Sequence, residues 1–119
     1  MKKTLVLGAS LNPSRYSHSA ILRLRANGHP VVALGLRPGT VADVPIETDH
    51  LPIDKIDSVT LYLGPKNQPP IYDYVVSLNP KRVIFNPGTE NPEFYQILTE
   101  NSIEVEVACT LVLLATNQY

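Results

Sequence analysis

Thr4-Leu5-Val6-Leu7-Gly8-Ala9-Ser10-Leu11-Asn12-Pro13-Ser14-Arg15-Tyr16-Ser17 is the stretch that decides the fold. A short apolar run ends on a glycine. A polar loop follows, then a segment of helical period over residues 17–27, whose Ile21 and Leu24 share one face. Strand, glycine turn and helix in that order open a βαβ unit. The alternation repeats outward from there. Gly28 closes the first helix, and Val31-Val32-Ala33-Leu34 runs into Gly35-Leu36-Arg37-Pro38-Gly39. Ser58–Leu63 is closed by Gly64-Pro65, and Pro69-Pro70 opens a helix with an apolar stripe at Ile71, Tyr74, Val75 and Leu78. That helix must stop before Pro80. Arg82–Phe85 leads to Asn86-Pro87-Gly88, Asn91 caps a third helix begun by Pro92, and Glu104–Val107 is the last run. Residues 40–56, with Pro45 and Pro52, read as irregular, with at most one short strand or turn. The apolar tail Leu111–Ala115 reads as a short closing helix or a contact between copies. The expectation is a single α/β domain over residues 1–119: three-layer and doubly wound, with about five parallel strands and helices on both faces.

Composition narrows the function. At 119 residues and 44% hydrophobic, the chain can bury a normal single-domain core. No apolar run reaches the ~20 residues of a membrane span, and the apolar stretch after Lys2-Lys3 is too short for a signal peptide. One cysteine, Cys109, makes neither a disulfide framework nor a multi-cysteine zinc site, so a cytoplasmic protein is expected. The net charge of −1 hides an asymmetry: residues 1–42 carry six basic residues and no acidic one, whereas residues 43–119 carry four basic and all eleven acidic. A basic first third under a near-neutral total points to a small phosphorylated ligand, and away from nucleic acid or a membrane surface.

In an open α/β sheet the ligand sits beyond the carboxyl ends of the strands, at the topological switch point. Each expected strand end there carries glycine: Gly8-Ala9-Ser10, Gly35 to Gly39, Gly64-Pro65-Lys66 and Asn86-Pro87-Gly88. In the loop Gly8–Ser17, backbone N–H groups and the helix dipole can receive an anion. Ser10, Ser14 and Ser17 add hydroxyls, and Arg15 adds a planar charged fork. Ser14 and Ser17 could equally serve only as helix caps. Positions 8, 10 and 13 are Gly, Ser and Pro, so the loop is not a G-x-G-x-x-G fingerprint, and no Gly-Lys-Ser/Thr exists for a Walker loop. At the end of the second strand Arg37 stands where a ribose-binding acid would serve NAD. An arginine there suits a phosphomonoester on the ribose, the 2′-phosphate of NADP or the 3′-phosphate of coenzyme A. His18, His29 and His50 have no metal-ligand spacing and read as surface residues, and no catalytic constellation emerges. Cys109 is either an inert thiol or the nucleophile of a redox or acyl-transfer protein.

Gly8-Ala9-Ser10-x-x-Pro13-Ser14-Arg15, Asn27-Gly28-His29 before the second strand, Asn91 and the late Cys109 together resemble the small CoA-binding domain family. Its Rossmann-like fold is shared with the N-terminal domain of the succinyl-CoA synthetase alpha subunit. The resemblance covers essentially the whole chain. It implies a stand-alone binder of CoA or acyl-CoA, with the nucleotide phosphates on Ser10, Ser14 and Arg15 and with Gly8 and Ala9 of the same loop at the ligand. Arg37, Pro38 and Gly39 would hold the nucleotide end. Gly64, Pro65 and Lys66, with Asn86 and Gly88 at the next strand end, would border the rest of the ligand. Partners would be a CoA-using enzyme or a second copy of the chain. The family's Asn-Pro after the second strand is replaced here by Gly35-Leu36, leaving only the basic residue, Arg37. The alternatives are an NADP-linked or thiol redox protein using Cys109, and a degenerate Rossmann domain serving in assembly.

Overall fold

A computed structural model describes residues 1–119. Five parallel strands form where the apolar runs predict them: β1 (Thr4–Ala9), β2 (Val31–Gly35), β5 (Ser58–Leu61), β6 (Arg82–Phe85) and β7 (Glu104–Val107). Two further strands, β3 (Gly39–Val41) and β4 (Val44–Glu47), correct the expectation that residues 40–56 are irregular. They form a hairpin around Ala42 and Asp43, with Ala42 in the left-handed region at φ 54°. β4 joins the sheet parallel to β2 through Ile46 and Glu47 only, so Pro45 lies outside that ladder and its missing N–H disrupts nothing there. Val41, Val44 and Ile46 are buried while Thr40, Pro45 and Glu47 are exposed, which is strand period. The sheet order is β3-β4-β2-β1-β5-β6-β7.

Alternation along β1 assigns its two faces. Leu5 and Leu7 join Val59, Leu61, Val83 and Phe85 under α2 (Tyr72–Leu78) and α3 (Pro92–Glu100), which contribute Val75, Phe94 and Leu98. Val6 faces the other way, with Ala33 and Ile46, under α1 (Tyr16–Ala26) and α4 (Thr110–Ala115), which contribute Ile21, Leu24 and Leu114. Ends follow the local signals. Asn91 accepts a hydrogen bond from the Phe94 amide and caps α3, and Asn79, just before Pro80, adopts φ 49° to stop α2. Two 3₁₀ turns, Pro65–Asn67 and Pro69–Ile71, precede α2, so the prolines open a tighter helix than expected.

The strands' amino ends are closed by an ionic network. Arg82, buried, donates through Nε to Ser58 Oγ at 2.7 Å, through Nη1 to Glu106 at 2.7 Å, and through Nη2 to the Tyr119 carbonyl at 3.0 Å. Its guanidinium lies 4.4 Å from the Tyr119 ring centroid. His29 is not a free surface residue: its Nδ1 accepts from the Lys2 amide, and its ring meets Tyr119 edge-on.

Candidate functional site

From β1 the chain crosses to β2 on one side, and from β5 it crosses to β6 on the other. The crevice of this sheet therefore opens between the carboxyl ends of β1 and β5. Two glycines shape it. Gly8 is the bulged residue where β1 and β2 lose register, at φ 92°, and a Cβ there would lie 3.0 Å from the Tyr62 carbonyl carbon. At Gly35 a Cβ would lie 2.4 Å from the Ala9 carbonyl oxygen, so only glycine lets β2 pass so close to the end of β1. Gly39 carries the Leu11 side chain against its backbone, which draws the first loop onto the segment Arg37-Pro38-Gly39. Two of the expected ligand segments are thus neighbours.

The first loop is built by its own side chains. Ser10 Oγ accepts from the Asn12 amide at 3.1 Å, and Asn12 Oδ1 accepts from both the amide and the hydroxyl of Ser14. Ser10 keeps its hydroxyl proton free, whereas Ser14 gives its proton to Asn12. Neither Ser14 nor Ser17 caps the helix: Arg15 is the N-cap of α1, makes no side-chain cap bond, and no acid stands in the first turn. The amides of Tyr16 and Ser17 find no acceptor, and Ser17 is buried. Arg15 is exposed and its guanidinium is unpaired, as are the side chains of Arg37 and Lys66. Of the other cations of the basic first third, Arg23 is likewise exposed and unpaired but sits in the last turn of α1, and three are engaged elsewhere. Lys2 reaches the Tyr119 carbonyl, Lys3 the Asp54 carbonyl, and Arg25 grips Asp43 with two bonds of 2.8 and 2.7 Å.

On the far wall, Gly64 and Gly88 have open space where a side chain would stand, and Pro65 and Lys66 are exposed. Asn86 is placed differently from these. It is buried, its Nδ2 donates to Thr60 Oγ1 and the Leu61 carbonyl, and its Oδ1 accepts from the Thr110 amide. Its side chain thereby ties the ends of β5 and β6 to the start of α4. Gln68, which no local sequence pattern singles out, is fully buried and donates to the carbonyl of Thr89, whose hydroxyl bonds the Asn86 carbonyl. Half-buried Cys109 stands at the N-cap of α4, in the short connection that follows β7. The Tyr62 hydroxyl is buried without a partner, while the neighbouring Thr60 and Thr110 hydroxyls bond each other and Thr60 Oγ1 also accepts from Asn86. Burial pushes its pKa up to about 12. No three His, Cys, Asp or Glu side chains gather to hold a metal ion, and no helix is long and apolar enough to cross a membrane.

Comparison with known proteins agrees with this fold. A family model described as CoA binding domain matches residues 2–115. The crystal structure of an uncharacterized protein superposes with a TM-score of 0.97 at 47% identity, covering 100% of this chain and 98% of that one. A hypothetical protein from Pyrococcus horikoshii OT3 gives 0.83 at 26% identity, covering 93% of this chain and 80% of that one. The Thermus thermophilus protein cell-free ID.343 gives 0.86 at 24% identity, covering 99% and 90%, and shares the fold. No match is found among curated proteins.

Proposed function

The chain belongs to the CoA binding domain family, and on that premise we propose that it binds coenzyme A or an acyl-CoA in the crevice between the carboxyl ends of β1 and β5. The observation that carries this is the amino end of α1. Two free amides, a positive dipole end and the unpaired Arg15 converge on one loop with no carboxylate to neutralise them. A pyrophosphate satisfies all three. Ser10 donates from the loop, Arg15 supplies a bidentate fork, and the Tyr16 and Ser17 amides supply fixed donors that need no reorganisation.

Arg37, beside the first loop by way of Gly39 and Leu11, meets the 3′-phosphate of the ribose. The exposed Leu36 offers the adenine an apolar neighbour where the family's Asn-Pro is missing. Gly64, Pro65, Lys66 and Gly88 border the remainder of the ligand. Asn86 acts from below, by fixing the strand ends with its side chain. In the cell this is a cytoplasmic CoA carrier or sensor that works with a CoA-using enzyme and performs no chemistry of its own. Isothermal titration with CoA, NADP, NAD and ATP tests it. CoA is expected to bind most tightly; tighter NADP binding, or no binding of any of the four, refutes it.

A further inference from the structure

Gln68 has a relative exposure of 0%. A neutral amide removed from water is tolerated only when its bonds are made inside the protein, and here they are. Nε2 donates to the Leu63 carbonyl at 2.9 Å and to the Thr89 carbonyl at 2.8 Å. Oε1 accepts from Asn91 Nδ2 at 2.9 Å. Asn91 in turn donates to the Tyr72 hydroxyl at 2.8 Å while capping α3, and that hydroxyl donates to Glu93. The backbone bonds of the two loops stay local: Asn67 to Gly64 and Gln68 to Pro65 after β5, Thr89 to Asn86 after β6. One side chain therefore crosslinks two strand-end loops.

Those loops carry Gly64 and Gly88, the two glycines with open space above them. The anion-binding groups lie on the other side of the crevice, at α1 and at the end of β2. With the order β2-β1-β5-β6, a ligand whose phosphates sit at α1 extends its other end over β5 and β6. In CoA that end is an uncharged chain of two amides, a hydroxyl and a thiol. It offers no charge to be steered by, so its affinity depends on a fixed wall of backbone groups.

We infer that Gln68 is a positioning residue, whose buried amide holds the β5 loop against the β6 loop and thereby sets the affinity that the pantetheine arm adds to the nucleotide. This rests on CoA being the ligand. The experiment measures CoA and adenosine 3′,5′-bisphosphate by titration calorimetry against the parent protein, Gln68→Met and Asn91→Ser, with the melting temperature of each free protein. Methionine keeps the volume and removes all three bonds. Serine keeps a cap for α3 and removes only the bond to Gln68 Oε1 and the one to Tyr72, so it serves should the methionine variant not fold. The expected result is that CoA loses about tenfold in Gln68→Met, and less in Asn91→Ser, while the bisphosphate binds each variant as it binds the parent. Only a brace under the arm moves the ratio of the two affinities; a merely structural role lowers the melting temperature and leaves that ratio alone. An unchanged ratio in the variants that fold, or a parent that binds the two ligands equally, overturns the role of Gln68 alone. A parent that binds neither overturns CoA binding itself.

Discussion

The two ends of the sheet treat charge in opposite ways. At the amino ends of the strands, Arg82 is buried and all three of its donor groups are matched by Ser58, Glu106 and the Tyr119 carbonyl. A hollow of about 350 Å³ opens there, but Lys81 and Glu104 among its walls mix the two signs, so no ligand charge is favoured. At the carboxyl ends, Arg15, Arg37 and Lys66 are unpaired and α1 starts without a cap. One end stabilises the fold with its charges; the other keeps its charges available. On the function proposed above, that contrast makes the second end the binding end.

Removing a charge should therefore have different consequences at the two ends. The largest effect is expected from Arg82→Ala, which strands Glu106 half-buried. Breaking such a pair costs about 3 kcal/mol, or on the order of 10 °C in Tm, and CoA affinity measured well below the transition should be unchanged. A Tm close to the parent's would mean that the amino end is not held by charge. Next is Arg15→Ala. The Tm of the free protein should move little, within about 0.5 kcal/mol of stability. The stabilisation given by excess CoA should largely vanish, because the lost bidentate bonds are worth about 2 kcal/mol. Arg15→Lys should restore part of it, since a point charge lacks the fork. If Arg15→Ala unfolds the free protein, the two ends do not differ as described.

A smaller effect belongs to Arg37. CoA should bind about tenfold more tightly than dephospho-CoA, and Arg37→Ala should erase that difference. Equal affinities for the parent would remove Arg37 from the site. The smallest effect concerns His29 at the amino end. Burial, helped by the nearby positive charges of the amino terminus, Lys2 and Arg82, lowers its pKa from the usual 6.5. The neutral ring is the form that accepts from the Lys2 amide. The unfolded chain thus takes up this proton first as pH falls, so its contribution is complete above about pH 6.5 and is lost below that, through the folded value. Thermal melts at stepped pH should show the parent losing stability toward pH 5 more steeply than His29→Gln.

Much of the fold was legible because it is locally encoded. β1, β2, β5, β6 and β7 follow apolar runs closed by turn residues, and the Asn91 cap depends on three residues of sequence. β3 and β4 were not, because a two-residue turn interrupts an already short alternation and Pro45 imitates a breaker. The site divides along the same line. Glycines at strand ends mark Gly8 and Gly35, yet the reason for Gly35, an Ala9 carbonyl standing where a Cβ would be, exists only once β1 and β2 are paired. The basic first third overstates the cationic site, since Arg25 is met by Asp43, the first acid after it. Gln68, between Asn67 and Pro69, looks like any polar loop residue. Its burial is created by a carbonyl 21 positions away, at Thr89.

The most direct test is to follow backbone amide chemical shifts by NMR as CoA is added to the parent protein. The amides of Ser10, Tyr16, Ser17 and Gly39 should move together and saturably, while those of Lys2, Arg82 and Tyr119 stay fixed. Saturable movement at the amino-end residues, with the α1 amides unmoved, would place the ligand at the wrong end of the sheet and contradict the binding site described here.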